Sequence, residues 1–347
     1  MPELRRDPVI GRWVIISTER GKRPDQFRAA PAQAPKQDDP RGCPFCEGNE
    51  RMTPPEIFAL RRPGTAANGP GWEVRVIPSI SPLLQIEGNI DRHGHGMYDL
   101  MNARGAHEIV INTPRHQHEY ELSTEQIVKG VNVTMDRITD LERDPGIKYA
   151  LAFRNYGEAA GGGDNSHARM QIIGTPVNLK RVKEELAGSK RYYDYRDRCI
   201  YCDIIRQELA SGRRVMAESK RFVAIAPFAA RFPFETWILP KEHSCDFYRT
   251  DRSAIPDFAE LTQSVFLKIK KAIGDFPFNF VLHAAPFRRD VHKKGYWETI
   301  ERDYHWHYEL LPILTRVAGF EWGTAFYINP LKPEDACKAV NGGAGAG

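Results

Sequence analysis

Apolar residues recur at steps of three and four in two stretches of this chain. The first stripe is Ile127, Val131, Met135, Ile138 and Leu141, preceded by Ser123 with Gln126 three residues on. Such spacing gives an α-helix one buried face, and Ser followed by Gln is an N-terminal capping pair. The second stripe is Phe258, Leu261, Val265, Ile269 and Ile273, with Gly274 placed to end the helix. Shorter apolar runs bounded by proline, glycine or charge read as strands. Those of the first half are Trp13 to Ile16, Glu73 to Pro78, His107 to Asn112, Tyr149 to Phe153 and His167 to Pro176. Those of the second are Phe222 to Ala226, Glu235 to Leu239, Phe278 to His283 and His305 to Pro312. Short helices are expected around Pro54 to Leu60 and following Cys199-Ile200-Tyr201-Cys202 through Leu209, and loops at Ala30 to Arg41 and Gly88 to Arg104.

Set side by side, the two halves repeat one order: a CxxC pair, strands, a His after a strand-ending proline, an amphipathic helix, a strand, and a strand led by His. An internal repeat of whole elements predicts an α+β fold of two similar half-domains, antiparallel sheets with packed helices. The halves are expected over residues 1–190 and 191–340, and the Gly/Ala-rich tail 341–347 is expected to be disordered.

The 347 residues suffice for a large buried core, and the 25 prolines and 28 glycines imply many loops. A net charge of +4, evenly spread, does not argue for nucleic acid. The start of the chain has no apolar leader core, and no later run is long enough to span a bilayer, so a cytoplasmic protein without membrane contact is expected. Of six cysteines, four form the pairs Cys43/Cys46 and Cys199/Cys202, which in a reducing compartment point to metal or redox chemistry.

Residues i and i+2 of a strand share a face, so His305 and His307 are expected side by side, and His167 beside Arg169. Each half then offers two thiolates and two imidazoles: Cys43, Cys46, His116 and His167, and Cys199, Cys202, His243 and His305. Such sets suit tetrahedral zinc in closed structural sites, and two zinc ions are expected. A thioredoxin-like use competes, but neither pair opens a βαβ unit. An alternative second site would join Glu185 and His283 to His305 and His307. His93, His95, His118 and His292 lie in polar loops and read as solvated, and His107 reads as structural.

With these motifs assembled, the chain resembles the galactose-1-phosphate uridylyltransferase family of the histidine-triad superfamily. The resemblance rests on Arg20-Gly21-Lys22-Arg23-Pro24, Cys43-Pro44-Phe45-Cys46-Glu47-Gly48-Asn49-Glu50, Thr53-Pro54-Pro55-Glu56, Gly105-Ala106-His107-Glu108 and Ala318-Gly319-Phe320-Glu321-Trp322-Gly323-Thr324. It implies nucleotidyl transfer between a sugar 1-phosphate and a nucleoside diphosphate sugar, commonly in a homodimer. Family members use a His in a His-Pro-His-x-Gln strand to attack the α-phosphorus. By resemblance, Arg20 and Arg23 supply charge, Asn155 an amide and Gln171 a hydrogen bond to the phosphoryl oxygens.

Aligned to that motif, this strand reads His167-Ala168-Arg169-Met170-Gln171, with Arg169 at the nucleophile's position. Arginine stays protonated and has no lone pair with which to attack phosphorus. The loop Gly163-Asp164-Asn165-Ser166 is also one residue longer than usual. Pro78-Ser79-Ile80-Ser81-Pro82 stands where an Asn and an aromatic usually flank base and ribose. Three readings follow: direct nucleotidyl transfer, as a transferase or a phosphorylase, with Arg169 stabilising charge and Gln171 assisting; chemistry through His307; or a binding protein for a nucleotide or sugar phosphate. Direct transfer without a nucleotidyl-His intermediate is the leading expectation.

Overall fold

The computed structural model describes residues 1–20, 27, 39–162, 167–289 and 295–342, apart from the side chains of Arg20 and Tyr296. An N-terminal arm carries β1 (Glu3–Arg6) and β2 (Trp13–Ile16). The first half runs through β3 (Phe58–Arg61), β4 (Trp72–Pro78), a hairpin of β5 (His93–His95) and β6 (Tyr98–Leu100), β7 (Ala106–Ile111), α1 (Thr124–Glu142), β8 (Tyr149–Tyr156) and β9 (Arg169–Thr175). Helices α2 (Lys180–Arg196) and α3 (Ile200–Ser211) lead to β10 (Val215–Glu218), β11 (Phe222–Ile225), β12 (Thr236–Pro240), α4 (Ile255–Ile273) and β13 (Phe278–His283). Then come α5 (Ile300–Asp303), β14 (His307–Pro312), α6 (Gly319–Thr324), β15 (Tyr327–Asn329) and α7 (Pro333–Val340).

The repeated order of elements becomes a repeated topology. One ten-stranded sheet runs β10-β11-β12-β14-β13-β8-β9-β7-β4-β3, every pairing antiparallel. Each half supplies five strands in mirrored order, and the halves join where β8 pairs with β13. Antiparallel sheets expose two chemically distinct faces. Here α1 and α4 cover one face, where Met135, Ile138, Leu141, Phe258, Leu261, Val265 and Ile269 are buried against Val76, Val110, Ala152, Ile172, Phe280 and Leu310. The opposite face carries both CxxC pairs, α2 and α3, and its residues at the join between the halves are half-buried.

Local signals explain most boundaries. The Ser123 hydroxyl caps α1 by accepting the Gln126 N–H at 3.2 Å, and Gly274 ends α4 at φ +84°. Gln126 does not close a reciprocal box; its amide instead donates to the carbonyls of Glu73 and Asn112, tying α1 to the sheet. The stretch expected as a helix from Pro54 to Leu60 is strand β3. Two successive prolines remove helical N–H donors, and Ile57 N–H already donates to Val76 O of β4. The N-terminal arm is held by β15, which pairs parallel to β2, and by Arg5, whose guanidinium donates to Glu334 of α7 at 3.0 Å. Of the tail, Asn341 is tied to Val215 O and Lys268, while residues 343–347 lie outside the described residues.

Candidate functional site

Both expected Cys/His sets are assembled, each from a CxxC turn, the His following β7 or β12, and the His two residues ahead of Arg169 or His307. In each set, one ligand atom per residue can be chosen so that all four lie within 4.8 Å of one another. Cys43 Sγ and Cys46 Sγ lie 3.6 Å from His167 Nδ1, and Cys46 Sγ lies 3.4 Å from His116 Nδ1. In the second set Cys202 Sγ lies 3.5 Å from His243 Nδ1 and 3.6 Å from His305 Nδ1. Zn–S and Zn–N bonds of about 2.3 and 2.0 Å at the tetrahedral angle require an S···N edge of about 3.5 Å. The donor geometry therefore fits that ion.

The hydrogen bonds behind the imidazoles fit as well. His167 Nε2–H donates to Thr113 O at 2.7 Å, His305 Nε2–H to Pro240 O at 2.9 Å and His243 Nε2–H to Glu301 O at 3.1 Å. Each bond leaves the Nδ1 lone pair facing sulfur, the tautomer a ligand needs. Burial pushes the His167 imidazole down to about 3, so it is neutral. In the second set the hydrogen bond from Cys199 holds the Cys202 thiol well below its ordinary range, and His243 and His305 add to that effect.

His305 and His307 do not share one environment. His305 precedes β14 and faces Cys202. His307 opens the strand and is grouped with Glu185, His283 and Glu309. The alternative site is therefore formed in part: Glu185, His283 and His307 come together with Glu309 as a set of possible metal ligands, while His305 belongs to the Cys/His set. This third group lies within an ion-pair network: Arg231 donates to Glu309 at 2.6 Å and Glu235 at 2.8 Å, and Arg181 to Glu309 at 3.3 Å and Glu185 at 3.1 Å. His283 Nδ1 lies 2.8 Å from Glu185 and its Nε2 3.6 Å from Glu309. Burial opposes a charge on His283, but the two carboxylates outweigh it and raise its pKa. His307 is fully buried, held neutral near 4 by burial, and packed between Tyr201, Trp237 and His283.

The candidate cleft face is the side of the sheet opposite α1 and α4 where the halves join and the residues are half-buried. Strand registers set Gln171 opposite Phe153, Phe153 opposite Val281, and Val281 opposite Glu309. One step along, Asn155 pairs with Asn279, and the same register carries Asn155 opposite Arg169. Arg169, Gln171, Asn155 and Asn279 are all half-buried. The Arg169 guanidinium sits 4.9 Å from the Phe45 ring centroid and donates to His167 O at 3.1 Å. The Asn155 carbonyl oxygen accepts from Asn279 Nδ2 at 2.8 Å, and Gln171 Oε1 lies 2.9 Å from His107 Nε2. Arg23, the side chain of Arg20 and the 163–166 loop lie outside the described residues. His107, Asn279, Arg231 and Glu309 are site-forming residues that were not picked out from sequence. Only His107, inside Gly105-Ala106-His107-Glu108, carried a local signal.

The family described as galactose-1-phosphate uridyl transferase, N-terminal domain, matches residues 1–179. An ADP-glucose phosphorylase of Arabidopsis thaliana is 35% identical over 98% of this chain and 92% of its own length. The chain belongs to the galactose-1-phosphate uridyl transferase family. Among its members, the galactose-1-phosphate uridylyltransferase of Thermotoga maritima is 28% identical over 98% of both chains. A crystal structure of an Arabidopsis thaliana ADP-glucose phosphorylase with bound ADP-glucose superposes with a TM-score of 0.80 at 34% identity, covering 98% of each chain. Like these uridyl transferase relatives, this chain is an enzyme of the uridylyltransferase kind. Among the described residues, no helix is long and apolar enough to cross a membrane.

Proposed function

We propose that this enzyme transfers the nucleotidyl group of a nucleoside diphosphate sugar directly to a phosphate acceptor, either inorganic phosphate or a sugar 1-phosphate. An acceptor oxygen bonds to the α-phosphorus as the bridging α–β oxygen bond breaks. A sugar 1-phosphate leaves, and the acceptor departs as a nucleoside diphosphate or a new nucleotide sugar. ADP-glucose is the first donor to test, because the relative of 35% identity bears that substrate in its name.

The observation that carries the reading is Arg169. It stands at the start of β9, two residues after a metal-ligand histidine, on the cleft face and stacked on Phe45. A guanidinium there cannot form a covalent phosphoryl intermediate, yet it matches the geometry of phosphoryl oxygens. Gln171 and Asn155 supply neutral donors beside it, and Arg20 and Arg23 further charge, all acting as charge moves onto the phosphoryl oxygens and the leaving group. His307, fully buried in the ion-pair network, is assigned no contact with substrate.

We further assign zinc to both Cys/His sets, where it would hold the CxxC turns against the strands that carry Arg169 and His307. Residues 1–190 and 191–340 are taken as the repeated halves, and a homodimer as the working assembly. Thiols paired with imidazoles rather than with each other suit a reducing cytoplasm.

The test is turnover of ADP-glucose and UDP-glucose bearing a chiral α-phosphorothioate, with inorganic phosphate and with glucose 1-phosphate as acceptors. Inversion at phosphorus, with no protein-bound nucleotide, is expected. Retention would overturn direct displacement. Saturable binding without turnover for every pair would show a binding protein instead.

A further inference from the structure

We propose that His107 determines which end of the Gln171 amide faces the substrate, and is therefore a positioning residue for nucleotidyl transfer. The inference rests on the reading of Gln171 as a phosphoryl donor. His107 is 8% exposed, on β7, diagonal to Gln171 of β9 on the cleft face. Its Nδ1 lies 3.2 Å from the backbone nitrogen of Leu83. A backbone N–H can only donate, so Nδ1 must carry a lone pair, and the neutral ring then holds its hydrogen on Nε2. That hydrogen points at Gln171 Oε1, 2.9 Å away. With its only acceptor engaged, Gln171 presents both amide hydrogens elsewhere.

The neighbouring amide is fixed in the same sense. Asn279 Nδ2 donates to both Asn155 Oδ1 at 2.8 Å and Ala160 O at 2.9 Å, so the Asn155 NH2 is likewise turned away from its partner. The Arg169 guanidinium and these two amide NH2 groups then face the acceptor and donor phosphates as donors, while Asn279, its NH2 engaged, keeps its carbonyl oxygen as an acceptor beside them. Phosphoryl oxygens only accept, and a reversed Gln171 would set a carbonyl oxygen against them. Leu83 fixes the tautomer, the tautomer fixes the amide, and the amide meets the phosphate.

The competing role for His107 is to anchor the Ser79–Leu83 turn, and two variants separate the roles by reach. In His107→Asn the side-chain oxygen sits near the position of Nδ1, keeping the Leu83 contact while falling short of Gln171. In His107→Gln the longer amide can donate to Gln171 Oε1 while losing Leu83. The proposal expects His107→Asn to lower kcat about ten- to a hundredfold with little change in KM, and His107→Gln to stay within about threefold of wild type. It also expects the His107→Asn loss to vanish in a Gln171→Ala background, since the residues act as one unit. The opposite order of the two variants, or an undiminished loss in that background, would overturn it.

Two further readings do not depend on turnover. Long-range 15N–1H spectra should show His107 protonated at Nε2, and a ring protonated at Nδ1 overturns the proposal. The Gln171 side-chain amide resonance should shift on adding ADP-glucose in wild type and His107→Gln but not in His107→Asn. An equal shift in all three also overturns it. If wild type and Gln171→Ala turn over equally, the assignment of Gln171 fails, whereas the tautomer stands or falls on the spectra alone.

Discussion

Arg169→His replaces the group on which the proposed mechanism depends with the one residue type able to change it. The guanidinium donates to His167 O at 3.1 Å and lies over Phe45 at 4.9 Å. For a half-buried side chain the bond contributes about 1 kcal/mol and the ring contact about 0.5–1 kcal/mol. The variant should therefore be less stable by about 1–2 kcal/mol, lowering Tm by no more than about 8 °C, and remain folded with its metals. The new imidazole would stand two residues after His167 on the cleft face of β9. With an ordinary pKa of about 6.5, about three-quarters of it is neutral and nucleophilic at pH 7. Incubated with ADP-glucose labelled in the α-phosphate, the variant should retain acid-labile label approaching one nucleotide per chain, while wild type retains none. Mass spectrometry of the peptide containing residue 169 locates the adduct. A variant that binds ADP-glucose and holds wild-type metal yet takes up no label would refute the placement of residue 169 against the α-phosphorus.

Other consequences concern the scaffold. Glu309→Gln breaks contacts with Arg231 and Arg181 in a fully buried setting and should cost about 3–5 kcal/mol in urea unfolding at pH 6. His283 has a raised folded pKa, so its stabilisation is present below its ordinary value and lost as pH rises through the folded value. Glu309 contributes to that raise, so the gap between wild type and variant should narrow on the alkaline side; a gap independent of pH would contradict the charge balance. Elemental analysis should find two zinc ions per chain, one lost in Cys46→Ser and the other in Cys202→Ser. Chelation should lower Tm steeply, because metal binding and folding are coupled at such sites. In Gly188→Ala, the added Cβ would lie 1.9 Å from Val9 O, a backbone atom, so the arm must shift from α2. A loss of about 2 kcal/mol or more is expected in thermal melts, and a neutral result would show that the arm yields freely.

Much of this arrangement was legible in the chain because it depends on short-range signals. Periodic apolar stripes located α1 and α4, and the repeated CxxC and His order located both Cys/His sets. The halves also repeat as predicted, but merging them into one sheet required the β8–β13 pairing, for which neither strand carries a distinct local mark. Helix α2 was missed because it buries Glu185, Gly188 and Ser189 alongside only Val182 and Leu186, which leaves no apolar stripe to see. The ion-pair network was missed for a related reason. Arg181, Arg231, Glu235 and Glu309 are far apart in sequence and resemble solvated charges until the fold brings them together. His305 and His307 show the limit of the alternation rule: it applies inside a strand, and β14 begins only at His307.

The two halves carry the same device at equivalent positions but enclose it differently, and that difference decides where chemistry can occur. Arg169 and His307 each open a strand two residues after a histidine of a Cys/His set. In the first half that position lies beside the β8–β13 join, where Arg169 is half-buried next to Asn155 and Gln171. In the second half His307 has no exposed surface and lies between aromatic rings and the buried ionic groups carried by α2 and the Arg231 segment. On the proposed reading, a nucleotide sugar meets the Arg169 guanidinium and the oriented amides of Gln171 and Asn155, and no accessible imidazole in the equivalent position of the second half. On the proposed direct displacement, transfer on such a surface proceeds by binding and charge stabilisation of two phosphates held together, so both substrates must be present before either bond changes. Initial-rate kinetics should accordingly show intersecting lines when donor and acceptor are varied. Parallel lines would show a covalent stage and overturn direct displacement.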